Sequence, residues 1–209
     1  RFGYFVAVTV RPPSLRTSRA VLILAAVLTV VLWQIPGYGQ LLLYPFTLLS
    51  TYAHEMGHGV TALVLGADFH RLLLFADGSG LASWGGDVGR VGRALVAAGG
   101  LVGPSVAGAT LLALSRNPAR ARPLLYALAG AMGLSLLVAG SAFTILFVAA
   151  VAAALFLVAR RASRGWASFT VQLLGVQLCV ALFQDIHYMF SPGGIVGGRA
   201  HSSDSAAMA

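Results

Sequence analysis

Residues 54–58 read His54-Glu55-Met56-Gly57-His58. Side chains four positions apart share one face of a helix, so both imidazoles can reach a single metal ion. The pattern H-E-x-x-H is that of zinc-dependent peptide hydrolysis. In that chemistry the metal is a Lewis acid that lowers the pKa of water. The intervening glutamate takes the proton of that water and passes it to the leaving amine. Zn2+ is therefore the expected cofactor, with His54 and His58 as ligands and Glu55 as catalytic base. Glu55 is the only glutamate in the chain and lies between two of its five histidines in an otherwise apolar segment. Ionisable groups inside a membrane are costly and mark function by default.

Catalytic zinc usually keeps three protein ligands and one open position. The third must come from elsewhere, and the candidates are Asp68, His70, Asp77, Asp87, Asp185, His187, His201 and Asp204. Asp185 is preferred. It follows the uncharged run from Gly165 to Gln184 and is expected on the last helix, which can lie against the His-Glu-His helix at matching depth. His187 cannot share the i, i+4 face of Asp185. Asp204 is the second candidate and requires the C-terminal tail to fold back over the site. Its alternative role is a helix N-cap within Ser202-Ser203-Asp204-Ser205, a stretch of capping residue types.

The elements that must carry these residues follow from composition. Of 209 residues, 58% are hydrophobic and only 10% charged, against about 25% charged in soluble domains. The mean hydropathy is +0.84. This excludes an ordinary soluble enzyme and a disordered chain. Uncharged runs extend from Ala20 to Ala53, Ala94 to Ser115, Pro123 to Ala159 and Gly165 to Gln184, each reaching the roughly 20 residues that cross a bilayer as a helix. The expected fold is an all-α polytopic membrane protein of about six transmembrane helices. Spans are expected at 20–35, 41–65, 94–114, two within 123–159 hinged near Gly140-Ser141, and one at 166–190. One kinked helix through 123–159 would make five. Pro36-Gly37-Tyr38-Gly39 breaks the first span from the second.

After the second span the chain becomes mixed. Phe69–Phe75 and Gly80–Trp84 read as strands about an Asp77-Gly78-Ser79-Gly80 turn, giving a short interfacial β-hairpin or a loop that enters the protein body, which is permitted away from lipid. Residues 1–190 are expected to form a single membrane-embedded domain, and 191–209 a Gly/Ser/Ala-rich irregular tail. Arg11–Gln34 has the basic flank and apolar core of a signal peptide, but no small-x-small site precedes Pro36, so a retained span is expected.

The net charge of +8 comes from 14 arginines, with no lysine, against six acids. Most arginines flank apolar runs, notably Arg116, Arg120 and Arg122, and Arg160, Arg161 and Arg164. That distribution suits headgroups and topology rather than nucleic acid, which is not an expected partner. Arginines before Ala20 put the N-terminus in the cytoplasm, whereas alternation of six spans puts the two later arginine groups on the far side, so sidedness stays open. Cys179, the single cysteine, cannot form an internal disulfide and reads as a small core residue.

The chain resembles the site-2 protease class of intramembrane zinc metallopeptidases, in the M50B-like branch of peptidase family M50. The resemblance rests on Thr51–Leu63 with Gly66, on Asp77-Gly78-Ser79-Gly80-Leu81, and on Ala98-Gly99-Gly100-Leu101-Val102-Gly103-Pro104-Ser105-Val106-Ala107-Gly108. It continues in Ala181–Ile186 and Ser203-Asp204-Ser205-Ala206. It implies that His54 and His58 bind zinc, that Glu55 activates water, and that a later aspartate completes the site. Asp185 matches that aspartate, although the better-known Asn-Pro…Asp-Gly motif is absent, and the Asp204 tail also matches the branch.

The expected function is an intramembrane zinc metalloendopeptidase that hydrolyses peptide bonds in or near transmembrane segments. Its partners would be the lipid bilayer and a transmembrane protein substrate, with no oligomeric state assigned, and its location a bacterial plasma membrane. Alternatives are a non-proteolytic metal-binding, chaperone or transport protein on the same fold, and a zinc hydrolase acting on lipid or another amide. The glycine-rich third span suits close helix approach. Pro104 frees one helix carbonyl for a polar partner or a kink.

Overall fold

A computed structural model describes the backbone of residues 15–189, 193–197 and 199–202, and the side chains from 22 to 181 except 25 and 40, with those of 196 and 197. Its order is α1 (Leu15–Trp33), α2 (Tyr38–Val64), β1 (Asp68–Leu74), β2 (Gly80–Gly85), α3 (Gly89–Leu114), α4 (Ala121–Ser135), α5 (Ala142–Arg161), α6 (Arg164–Met189), β3 (Gly193–Val196) and β4 (Arg199–Ser202). Short 3-10 turns at Pro118–Arg120 and Leu136–Val138 extend the two ends of α4. Among the described residues, three segments are long and apolar enough to cross a membrane: Gly89–Leu114, Pro118–Val138 and Ala142–Arg161. The chain is therefore a membrane-embedded helical protein with a small β-hairpin. α2 is not among the three because its second half carries the His-Glu-His sequence and several hydroxyls.

The segment 123–159 is broken rather than continuous. Ala139 is extended, and the Ser141 hydroxyl accepts a hydrogen bond from the Thr144 amide at 3.1 Å, capping α5. The break also serves the hairpin. Leu72 bridges to Ala139, the Gly140 amide donates to the Leu72 carbonyl at 2.9 Å, and the Leu74 amide donates to Thr144 Oγ1 at 2.8 Å. β1 therefore has its outer edge satisfied by the α4–α5 corner and its inner edge by β2. Leu72 and Leu74 are fully buried with Leu125, Val148 and Val171 of α4, α5 and α6. The hairpin is thus part of the protein body.

Its position follows from how α2 ends. Gly66 adopts φ +83°. Its amide donates to Leu63 and the Ala67 amide to Ala62, which is the Schellman closure that a left-handed glycine permits. Ala62 and Ala67 are buried together there with Val96. The chain reverses at once, and β1 and β2 run back along α2. Phe69 covers Gly59, Gly80 faces Thr51 and Glu55, and the Thr51 hydroxyl donates to the Gly78 carbonyl at 2.7 Å. Register slips at His70, since Phe69 pairs with Trp84 but Arg71 with Ser83.

Within the tail, residues 193–197 and 199–202 depart from the irregular reading, and the other residues of 191–209 lie outside those described. β3 and β4 form a second antiparallel ribbon, and the Gly197 amide at its turn donates to Ser79 Oγ at 3.3 Å. Pairing between strands, rather than local propensity, makes this element.

Candidate metal centre

α2 presents His54, Glu55 and His58 toward α3 and the hairpin. His58 is 9% exposed and Glu55 7%. The two histidine Nε2 atoms stand 3.1 Å apart. His58 Nδ1 donates to the Val96 carbonyl of α3 at 2.9 Å. That bond fixes the tautomer: the proton sits on Nδ1, and Nε2 is left with a lone pair aimed at His54. A ring held in this way by a backbone carbonyl is the usual outer support of a metal-binding histidine.

The donor set fits a small divalent metal. With metal–nitrogen distances of about 2.0–2.1 Å, two tetrahedral ligands lie about 3.3 Å apart, close to the spacing observed between the two rings. Among the described residues no cluster of three or more His, Cys, Asp or Glu side chains forms a complete site. Asp185 lies on α6, but its side chain is outside the described residues, as are those of His187 and His201. Asp204 is wholly outside them.

The other candidates are placed apart from the histidine pair. Asp77 is committed to the hairpin turn. Its Oδ1 accepts from the Ser79 hydroxyl at 2.6 Å and the Ser79 amide at 2.9 Å, and these bonds, the side-chain one foremost, lower its pKa below the ordinary carboxylate value. Asp87 accepts from the Gly89 amide at 3.1 Å at the start of α3. Asp68 and His70 are exposed on β1, with His70 against Gly85.

The close helix approach expected of the glycine-rich third span is found against α2, while the contacts each glycine makes are seen only in the structure. A Cβ at Gly100 would meet the His58 ring, one at Gly57 the Gly99 backbone, and one at Gly103 the Ala53 carbonyl. The seam between α2 and α3 is therefore built from glycine, which lets the helix backbones approach and leaves a slot for imidazole. The glycine run 99–103 was the available signal. Its proline frees a helix carbonyl for a polar partner or a kink. Pro104 removes the helical partner of the Gly100 carbonyl, yet His58 uses Val96. On the opposite side, a Cβ at Gly80 would stand 2.7 Å from Glu55 Cγ and 3.0 Å from Oε1, so β2 roofs the carboxylate at its barest residue.

α6 passes α3 in the antiparallel sense. Gly175 lies against Leu112 and Gly108, and Cys179 against Gly108 and Ser105. The chain beyond Cys179 therefore runs toward the Gly99–Gly103 end of α3, where His58 is held.

The profile of the Peptidase M50B-like family matches residues 21–209. No curated protein matches the chain, and no solved structure does.

Proposed function

The chain belongs to the M50B-like peptidase family, and from that premise we propose that it is an intramembrane zinc metalloendopeptidase cleaving peptide bonds in or near transmembrane segments. The observation that carries this reading is the His54–His58 pair, its nitrogens 3.1 Å apart and its second ring locked by Val96, with buried Glu55 beside it. His54 and His58 would hold the metal, with Asp185 as third ligand and Asp204 as the second candidate. The direction of α6 beyond Cys179 supports Asp185. When bound, zinc supplies Lewis acidity that makes water a nucleophile near neutral pH. Glu55 takes the proton of the attacking water on its carboxylate and delivers it to the amine of the departing peptide segment. Its burial under Gly80 excludes bulk water and strengthens that transfer.

Substrate must arrive unwound, since a membrane helix occupies its own backbone hydrogen bonds. Among the described residues β2 pairs with β1 alone, so its free edge beside Glu55 offers an extended peptide a strand to join. In this reading the six helices are six spans of a single domain, residues 1–190, with 191–209 as its tail.

The test compares zinc content and cleavage of a transmembrane peptide for wild type, His54→Ala, Glu55→Gln, Asp185→Asn and Asp204→Asn in detergent. Glu55→Gln should keep zinc and lose cleavage, and His54→Ala should lose both. Of the two aspartates, Asp185→Asn should be the one that releases zinc. Cleavage surviving Glu55→Gln would refute the mechanism and favour a non-proteolytic protein on the same fold. Hydrolysis of lipids but not peptides would leave the metal chemistry standing and replace the substrate.

A further inference from the structure

The geometry points to a binding site for one anionic phospholipid on the outer face of α4 and α5, at the end of the molecule away from the Glu55 hairpin. The two helices are antiparallel neighbours. Arg122 at the start of α4 donates from Nη2 to the Ala162 carbonyl just past α5 at 2.7 Å, and the rings of Tyr126 and Phe156 meet edge to face at 5.4 Å. Between the helices lies an open apolar groove of about 560 Å³, within the roughly 300–1,000 Å³ of small-molecule sites. Alanine and glycine line its inner part, and a Cβ placed at Gly130 would meet nothing within 4 Å.

Helical spacing places cations over the mouth of this groove. Arg122, Tyr126 and Gly130 follow one another at four-residue steps on α4. Arg160, Phe156 and Ala152 do so on α5, as do Arg161, Leu157 and Ala153. Residues at that spacing lie on one face, so the groove runs inward beneath three guanidiniums for about 12 Å. Arg116, Arg120 and Arg164 stand exposed at the helix connections of the same end. No Asp or Glu occurs in the sequence between Asp87 and Asp185, and both of those sit at the opposite ends of α3 and α6. Among the described residues no carboxylate stands beside these arginines, so their counter-charge is sought outside the helical body. Trp166 in the first turn of α6 is 52% exposed, the placement of an interfacial anchor.

These features select the occupant. A free phosphate would satisfy the arginines and leave the groove empty. A neutral helix or acyl chain would fill the groove and leave the arginines uncompensated. An anionic phospholipid does both, with its phosphate under Arg122, Arg160 and Arg161 and one chain along Gly130.

Native mass spectrometry of the delipidated full chain tests this by titration with phosphatidylglycerol, phosphatidylcholine and glycerol phosphate. One phosphatidylglycerol should be retained per chain, about ten-fold or more tighter than phosphatidylcholine, as expected for two or more arginines at a headgroup. The double change Arg160→Gln/Arg161→Gln should erase that preference. Gly130→Leu, which fills open space and improves helix propensity, should weaken both lipids by a similar factor, and unchanged melting temperatures would show both variants folded. Equal retention of the two lipids by wild type would overturn the site. So would phosphatidylglycerol binding that Gly130→Leu leaves unchanged, full competition by glycerol phosphate, or a dimer of the chain that Gly130→Leu dissociates.

Discussion

A methyl group at Gly100 would run into the imidazole of His58, and one at Gly80 into the carboxylate arm of Glu55. The two glycines therefore separate the two halves of the chemistry. Gly100→Ala should displace His58 from the Val96 carbonyl and release the metal, read as a fall in bound zinc per chain. Gly80→Ala should keep zinc and lower turnover, because it disturbs only the base. Equal zinc content and equal cleavage in both variants would show that neither contact matters. At this scale the sequence identified the groups that react and a small-residue helix face, but not which group each glycine makes room for. His54, Glu55 and His58 are recognisable because a four-residue helical spacing is local. Gly100 belongs to a stretch whose small residues suit close approach, but that it clears the His58 ring follows only from the α2–α3 contact.

Among the elements, the hairpin depends on the break between α4 and α5. Thr144 is fully buried and accepts the Leu74 amide that no strand pairs. Thr144→Val keeps the shape and leaves a buried N–H without an acceptor, a cost of about 1–3 kcal/mol. Thr144→Ser retains the hydroxyl and should lose distinctly less. Denaturation of the two variants in detergent measures the difference, and a valine variant as stable as wild type would mean that the hairpin does not need this anchor. Gly140-Ser141 and Asp77-Gly78-Ser79-Gly80 were legible as breaks because glycine with a capping or turn residue acts locally. The β3–β4 ribbon was not, since a Gly- and Ser-rich strand has little intrinsic preference and forms by pairing and by contact with Ser79 and Phe75.

For the whole molecule, the packing turns scattered arginines into an oriented distribution. In the sequence, Arg11, Arg16 and Arg19 compete with the two later groups, and sidedness cannot be read. In the structure, the bond from Arg122 to Ala162 joins the two short loops at one end, so six arginines act together there. The other end of α3 carries Arg90 and Arg93 with Asp87 nearby. Arginines in and beside short loops set orientation by remaining cytoplasmic, and six clustered at two adjoining helix connections should outweigh Arg1, Arg11, Arg16 and Arg19 at the N-terminal end. α3 has 26 residues, a length of about 39 Å against roughly 30 Å of hydrocarbon, so its ends must lie on opposite faces. In a Cys179→Ala background, Ala119→Cys and Ser163→Cys should react with a membrane-impermeant thiol reagent from the cytoplasmic face alone. Val91→Cys, exposed at the far end of α3, should react only from the other side. Labelling of Ala119→Cys and Ser163→Cys from different faces would break the α4–α5 pairing. Labelling of both from the non-cytoplasmic face would show that the arginines before Ala20 set the orientation.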